Sequence, residues 1–137
     1  MKIEKTLLII KPDGVERHLV GEVLTRIERK GYRIEDLKFF TLDTELAEKH
    51  YEEHKGQLFY DDLIEYITEG PSLVAIISGE NAISMLRRVM GPTDPLEATP
   101  GSIRGGFATS VTRNIVHGSD SEESARREID LFFPEDA

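Results

Sequence analysis

The sequence has no cysteine. This absence excludes disulfide bonds, thiolate catalysis and cysteine-ligated zinc, and it favours a reducing compartment. No apolar run reaches the length of about 18 residues that a membrane-spanning helix needs. The N-terminus also lacks the apolar core of a signal peptide. We therefore expect a cytoplasmic protein without a membrane span.

Acidic residues outnumber basic residues in the sequence. Lys and Arg together number 17 against 26 Asp and Glu, which gives a net charge of −9 at pH 7. A chain with this charge repels nucleic acid and anionic membranes, so neither is expected as a partner. Any phosphate ligand must then be held by a few local cations.

The Walker-type phosphate loop, G-x-x-x-x-G-K-[ST], is missing as well, which excludes that class of nucleotide site. The length of 137 residues suits one domain with its own hydrophobic core. Because no repeat or linker interrupts the chain, we predict a single domain over residues 1–137.

Apolar runs and helical spacings alternate along the chain. Strands are expected at 5–11, 32–42, 73–77 and 114–117. Helices are expected at 20–30, 44–54, 61–70, 82–90 and 119–132. This order predicts an α+β fold: a ferredoxin-like βαββαβ sandwich with a four-stranded antiparallel sheet, an inserted helix pair, a long loop and a C-terminal helix.

Two polar residues are expected to begin helices. Asn81 precedes an apolar helical stripe, and Ser119 with Glu122 three residues later matches a capping box. Between these helices, residues 91–113 contain three prolines and four glycines without clear periodicity. Loops of this length are usually functional or disordered.

His117 is the first candidate for chemistry, because it ends a strand and is followed by Gly118. A neutral imidazole is a competent nucleophile near pH 7. The N-terminus of the helix that follows would favour an anion beside it. A histidine that only fills the strand end with one nitrogen hydrogen-bonded fits the same spacing, so both interpretations stay open.

Three cations are candidates for holding phosphate. Lys11 ends the first strand, Arg87 lies in the last turns of a helix, and Arg104 is flanked by two glycines in the long loop. Such a clamp is what phosphoryl transfer needs. Each residue also has a structural interpretation, as a solvated strand end or a helix C-terminal cation, and the spacing does not establish that the three converge.

Residues 50–54 fit the zinc motif H-x-x-E-H, with His50 and His54 as ligands and Glu53 as a base. Catalytic zinc would need a third protein ligand from elsewhere. An amphipathic helix explains the same residues and is the favoured interpretation.

An RNA-recognition module shares the βαββαβ order. Its signature requires more than one aromatic residue, whereas residues 104–108 contain only Phe107. The net charge of −9 is also wrong for RNA binding, so this alternative is rejected.

Three segments resemble motifs of the nucleoside diphosphate kinase family. They are KPDGV at 11–15, PGSIRG at 100–105 and NIVHGSD at 114–120, the last matching the signature N-x-x-H-G-S-D. The segments follow the order and spacing of that family, and the resemblance covers nearly the whole chain.

The resemblance implies a ping-pong transfer of the terminal phosphate from a nucleoside triphosphate to a nucleoside diphosphate, with broad tolerance of base and sugar. His117 would attack through Nδ1 and become a phosphohistidine. Glu128 would orient the imidazole from its other nitrogen. Ser119 and Tyr51 would lie near the transferred phosphate, and Lys11 would reach it.

The resemblance also implies a set of substrate-binding residues around one nucleotide. They are Arg87, Thr93 and Arg104 for the phosphates, Lys11 and Asn114 for the sugar hydroxyls, and Phe59 and Val111 for the two faces of the base. Stacking on the faces with little contact to the edge explains base tolerance, because every base has a flat face.

Mg²⁺ is implied as the cofactor, arriving with the nucleotide, with Asp120 as a partner through water and no permanent metal site. A homo-oligomer is implied too, with a hexamer favoured over a tetramer and a tetramer over a dimer. The chain departs from the family pattern at Gly106 and Asp94, where Asp and Asn are usual. These departures affect the loop and the subunit contacts.

Overall fold

The structure is a computed structural model that describes residues 2–111 and 113–136, so the predicted domain of 1–137 begins and ends outside the described residues. Its strands are β1 (Ile3–Ile10), β2 (Arg33–Phe40), β3 (Ser72–Glu80) and β4 (Val116–Gly118). They form a four-stranded sheet in the order β2-β3-β1-β4, and each neighbouring pair is antiparallel.

Helices connect and flank these strands. The α-helices are α1 (Pro12–Glu16), α2 (Val20–Arg29), α3 (Thr44–His50), α4 (Tyr60–Thr68), α5 (Ala82–Met90), α6 (Ile103–Phe107) and α7 (Glu122–Phe132). Short 3-10 helices cover Glu52–His54, Pro95–Glu97 and Pro134–Asp136. The predicted ferredoxin-like α+β architecture is confirmed. No helix in the described part of the chain is long and apolar enough to cross a membrane.

The central strands of the sheet are buried on both faces. Leu8 and Ile10 of β1 pack in a core with apolar side chains of α2 and α5. Leu7 and Ile9 point the other way and pack with α3, α4 and α7. A stretch covered on both faces must be apolar throughout, which is why residues 7–10 of β1 appear in the sequence as a continuous apolar run.

The strand pairing sets where the chemistry can occur. Ile9 in β1 lies opposite His117 in β4, and Ile10 lies opposite Val116. Because the two strands are antiparallel, the end of β1 lies beside the beginning of β4. Lys11, the next residue after β1, therefore lies at the sheet edge from which His117 also projects.

Neither predicted capping hydrogen bond is found in the described part of the chain, although Asn81 does precede α5 as predicted. Asn81 has a left-handed backbone (φ 52°), and its side chain makes no capping hydrogen bond. Glu4 Oε1 instead accepts the N–H of Ile83 at 3.1 Å. The last helix begins at Glu122 behind Ser121, whose hydroxyl accepts from the backbone of α7, while Ser119 is buried. A tertiary contact thus replaces the predicted capping bond at α5, whereas at α7 a different local residue, Ser121, supplies the cap.

The long loop is more ordered than its composition predicted. Asp94 caps the 3-10 helix at Pro95–Glu97, and Ser102 caps α6 by accepting the N–H of Gly105 at 3.1 Å. A Cβ at Gly105 would lie 1.6 Å from the Thr99 carbonyl oxygen, so this turn requires glycine. Such short helices contain too few turns to produce a periodic pattern.

Candidate active site

A pocket of about 460 Å³ lies where β1 ends and β4 begins. It brings together every site residue predicted from the sequence except Ser119. Its lining consists of Lys11, Tyr51, Glu53, His54, Phe59, Leu63, Arg87, Thr93, Arg104, Val111, Asn114, His117, Gly118, Asp120 and Glu128.

His117 is held from one side by Glu128. Its Nε2 lies 2.9 Å from Glu128 Oε1, and Glu128 itself is buried on α7. An ionised carboxylate can only accept, so the neutral imidazole places its proton on Nε2. The lone pair is then on Nδ1, as a nucleophile requires.

Ser119 supports Glu128 instead of lining the pocket. Its Oγ donates to Glu128 Oε1 at 2.8 Å and accepts the backbone N–H of Leu7 at 3.2 Å. The side chain is fully buried. Ser119 therefore contacts the same carboxylate oxygen as His117, and its proximity to the transferred phosphate stays a prediction.

Lys11 and Asn114 form a buried pair. Lys11 Nζ donates to Asn114 Oδ1 at 2.8 Å, and Asn114 Nδ2 donates to the carbonyl groups of Val111 (2.8 Å) and Thr93 (3.1 Å). Burial, together with the positive charge of Arg104, lowers the pKa of Lys11 to about 7. The pair thus connects the end of β1 to the long loop.

Arg104 is anchored by backbone carbonyl groups. Nη2 donates to Val116 (2.6 Å), Nη1 to Gly91 (2.8 Å) and Nε to Asn114 (3.4 Å). Burial and the nearby Arg87 lower its pKa to about 10. Arg104 remains charged at pH 7 and makes no carboxylate contact among the described residues, so its charge is available to an anion.

Arg87 is the second guanidinium of the pocket. Its Nη1 donates to the Gly118 carbonyl group at 3.1 Å, next to His117. Asp120 lies nearby, and hydrogen bonding from Ser124 followed by the charge of Arg87 lowers the pKa of its carboxyl group. Asp120 therefore places an ionised carboxylate at the wall of the pocket.

The backbone before His117 is strained. Ile115 has φ +76°, which is unfavourable for a β-branched residue. Asp13 Oδ2 accepts the Ile115 N–H at 3.1 Å, and Tyr66 donates a hydrogen bond to the other Asp13 oxygen. Gly14 packs against Ile115 so closely that a Cβ would lie 2.9 Å from its side chain. Asp13 and Gly14 thus hold this turn in place, a role not assigned to them from the sequence.

Tyr51 lines the pocket, and its neighbour His50 lies behind it. The Tyr51 hydroxyl and both ring nitrogens of His50 are buried and have no hydrogen-bond partner among residues 2–111 and 113–136. Burial raises the pKa of Tyr51, so its hydroxyl stays protonated. Burial, reinforced by the charges of His117 and Lys11, lowers the pKa of His50, so that ring stays neutral.

The H-x-x-E-H zinc site does not form. His54 stands apart from His50, with its ring edge-on to Phe59 at a centroid distance of 5.4 Å. Among the described residues, no group of three clustered metal-ligand side chains includes His54. His54 instead lines the open end of the pocket with Phe59 and Val111. The only feature of the sequence that could have indicated this position of His54 is that it follows Tyr51 closely in the chain.

The sequence matches the family profile of nucleoside diphosphate kinase over residues 4–137. The chain belongs to the nucleoside diphosphate kinase family. The three motifs at 11–15, 100–105 and 114–120, which first indicated this family, all contribute residues to the pocket of this nucleoside diphosphate kinase chain.

Proteins named nucleoside diphosphate kinase are similar to this chain over most of their length. The enzyme of Listeria monocytogenes serotype 4b (strain CLIP80459) is 55% identical over 131 residues, which are 96% of this chain and 89% of the relative. The enzyme of Methanocaldococcus jannaschii is 53% identical over 133 residues, covering 97% of this chain and 95% of the relative.

Solved nucleoside diphosphate kinase structures have the same fold. A halophilic enzyme from Halobacterium salinarum in complex with CDP superposes with a TM-score of 0.95 at 42% identity, covering 98% of this chain and 90% of that chain. The Aquifex aeolicus enzyme gives 0.93 at 40% identity, covering 96% of each chain.

Proposed function

We propose that this nucleoside diphosphate kinase transfers the terminal phosphate of a nucleoside triphosphate to a nucleoside diphosphate in two separate steps through His117. The observation that supports this most directly is the 2.9 Å contact between His117 Nε2 and Glu128 Oε1, which leaves the Nδ1 lone pair free. An enzyme with this activity maintains the pools of nucleoside triphosphates.

In the first step Nδ1 attacks the terminal phosphorus, and the bond from phosphorus to the bridging oxygen breaks. The nucleoside diphosphate leaves with the electrons of that bond. The phosphorylated ring keeps its proton on Nε2, and Glu128 stabilises the resulting positive charge. In the second step a terminal oxygen of another nucleoside diphosphate attacks the phosphohistidine and restores the neutral ring.

The pocket provides a separate group of residues for each part of the nucleotide. Arg87, Thr93 and Arg104 bind the phosphates, Lys11 and Asn114 bind the sugar hydroxyls, and Phe59 and Val111 contact the faces of the base. Two guanidinium groups and one buried lysine supply the positive charge that the acidic chain otherwise lacks. Because the base is held by its faces, we expect little discrimination among bases.

Tyr51, Ser119 and Asp120 act around the reacting phosphate in different ways. Tyr51 offers a protonated hydroxyl with no competing partner among the described residues. Ser119 keeps Glu128 in position through its 2.8 Å hydrogen bond. Asp120 would hold the Mg²⁺ of the bound nucleotide through water, because an ionised carboxylate oxygen suits that cation.

We also propose a homo-oligomer of single-domain subunits in the cytoplasm, with a hexamer favoured over a tetramer and a tetramer over a dimer. Leu37 and Phe39 support association, because they are exposed apolar side chains on the edge strand β2. An unpaired apolar edge tends to pair with another chain.

The test is incubation with Mg²⁺ and ATP labelled in its terminal phosphate. Wild type should retain a label that is labile in acid and stable in base, and His117→Ala should retain none while keeping its fold. Acid-stable label would indicate a phosphoserine instead. Initial-rate lines in double-reciprocal plots should be parallel, and intersecting lines would rule out the two-step route.

A further inference from the structure

His50, His117 and Glu128 form a cluster at the back of the pocket. They come from α3, β4 and α7, and one possible ligand atom from each lies within 4.8 Å of the other two. The proposed phosphate transfer uses His117 and Glu128 and assigns nothing to His50.

His50 is an unusual side chain for the interior. It is only 3% exposed, yet neither ring nitrogen has a hydrogen-bond partner among the described residues. Its ring lies edge-on to His117 at 4.8 Å between centroids and edge-on to Phe132 at 5.3 Å. Buried polar atoms are normally paired, so these unpaired nitrogens call for an explanation.

We propose that His50, His117 and Glu128 form an inhibitory binding site for a divalent transition-metal cation, Zn²⁺ in particular. Two imidazole nitrogens and one carboxylate oxygen make the ligand set of many zinc sites that keep a fourth position open. Mg²⁺ prefers oxygen ligands and water, so the Mg²⁺ of the nucleotide is not expected to compete.

The cluster needs only a local adjustment to bind the cation. Tetrahedral zinc with nitrogen ligands requires ligand atoms about 3.3 Å apart. Glu128 and His117 already lie 2.9 Å from each other. The remaining approach is that of His50, whose ligand atom lies within 4.8 Å of the other two, and the His117 side chain is 24% exposed. The fourth position would face the pocket.

Cation binding would prevent phosphorylation for a simple electronic reason. A neutral imidazole has one lone pair and one ring proton. If the cation takes the lone pair on either nitrogen of His117, the proton occupies the other, and Nδ1 has no electrons with which to attack. This inhibitory effect depends on the proposed function of His117, whereas the binding itself does not.

The charges around the cluster favour reversible binding over a permanent metal. Glu128 is its only carboxylate, and positive charge from Lys11 and Arg127 reaches His50. Repulsion from these cations opposes the incoming metal ion. We therefore expect a site that a chelator empties readily.

The chain has four histidines, which gives the binding experiment its controls. Zn²⁺ is titrated calorimetrically into the protein without nucleotide. Wild type should bind one ion per chain. His50→Gln and Glu128→Gln should weaken binding at least about tenfold, whereas His54→Gln and His18→Asn should not. Asn suits position 18 because its φ is +61°.

A second measurement uses unaltered protein, so that misfolding of a variant cannot confuse the result. Zn²⁺ is titrated into wild type while the ring signals of the histidines are followed by NMR. The signals of His50 and His117 should both shift, and the shifts should saturate at the stoichiometry that calorimetry gives. A shift of His54 alone, or no saturable binding in either measurement, would overturn the site.

The inhibitory effect is measured as the amount of phosphoenzyme that forms from labelled ATP at saturating Mg²⁺. Each variant is assayed with and without Zn²⁺, and its label with Zn²⁺ is expressed as a fraction of its own label without Zn²⁺. Wild type should lose its label and regain it with a chelator, and His50→Gln should need at least about tenfold more Zn²⁺. Zinc bound at the cluster with undiminished label would refute inhibition and question His117 as nucleophile. Absence of zinc binding would refute the site alone.

Discussion

Ser119 Oγ donates a 2.8 Å hydrogen bond to Glu128 Oε1, the same oxygen that lies 2.9 Å from His117 Nε2. The serine of the NIVHGSD motif is therefore connected to the histidine of that motif through a carboxylate on a different element. Because Ser119 Oγ and His117 Nε2 both donate to this oxygen, its position relative to the imidazole ring is fixed. The lateral position of the imidazole depends on a side chain that never reaches the pocket.

Replacement of Ser119 by alanine should lower both stability and turnover. The change leaves Glu128 without one donor and the Leu7 N–H without its acceptor, at a cost of about 1–3 kcal/mol in the free energy of unfolding. We expect kcat to fall about 5- to 10-fold, as loss of one hydrogen bond implies. Urea unfolding and steady-state kinetics measure the two effects.

Ser121→Ala is the matched control. Ser121 caps α7 through the N–H of Ser124 and makes no contact with Glu128. Its loss should cost about 1 kcal/mol of stability and lower kcat by less than Ser119→Ala does, because Ser121 reaches the site only through Asp120. If both variants lowered kcat equally, the effect would belong to helix stability and the connection to His117 would be refuted.

Glu128→Gln should reduce kcat by between about 10²- and 10⁴-fold, the upper figure being that of a comparable carboxylate-to-amide change beside a catalytic histidine. An amide that donates to Nε2 would move the ring proton to Nδ1 and remove the attacking lone pair. Nitrogen-15 NMR of His117 reports the tautomer directly. Glu123→Gln, at an exposed position on the same helix, should keep full activity.

Lys11 should make stability depend on pH. Its pKa is about 7 in the folded chain against an ordinary 10.5, so between these values the unfolded chain binds more protons and stability rises with pH. Relative to Lys11→Met, wild type should gain about 2 kcal/mol in the free energy of unfolding from pH 7 to pH 9. Urea titrations at both pH values test this, and a constant difference would contradict it.

Phe59→Ala should raise KM for purine and pyrimidine nucleotides by similar factors. The Phe59 ring is 45% exposed at the pocket, which leaves a face free for a base. Loss of one stacking partner costs about 1–3 kcal/mol, or roughly 5- to 150-fold in KM. Leu58→Ala is the control, because Leu58 is fully exposed and does not line the pocket. A strong effect on one base only would indicate edge recognition.

The order of strands and helices was predictable because burial produces local patterns of apolar residues in the sequence. The central parts of strands β1 and β3, residues 7–10 and 73–77, lie between two layers of helices, so these positions had to be apolar. The edge strand β2 is half-buried and alternates, as the sequence indicated. Asn81 and Ser119 failed as caps because their local patterns cannot report a competing partner that is remote in sequence.

The residues of the candidate site were predictable from the sequence, but the contacts between them were not. Lys11, Arg104 and His117 belong to contiguous motifs, and the pocket brings them together. Asp13 had no assigned role, because its partner Ile115 is 102 residues away and the strained turn is invisible in the sequence. His50 was considered only with His54, its neighbour in the chain, whereas its neighbours in space are His117 and Glu128.

The sequence by itself determined the sheet, the helices, the acidic surface and the family, because each of these follows from residue types at short range or from contiguous motifs. Only the tertiary structure decided that Ser119 faces Glu128, that Glu128 faces His117 and that His50 lies unpaired behind them. Those contacts join α3, β4 and α7. Their geometry arises from the packing of helices against one face of the sheet, which no short-range pattern encodes.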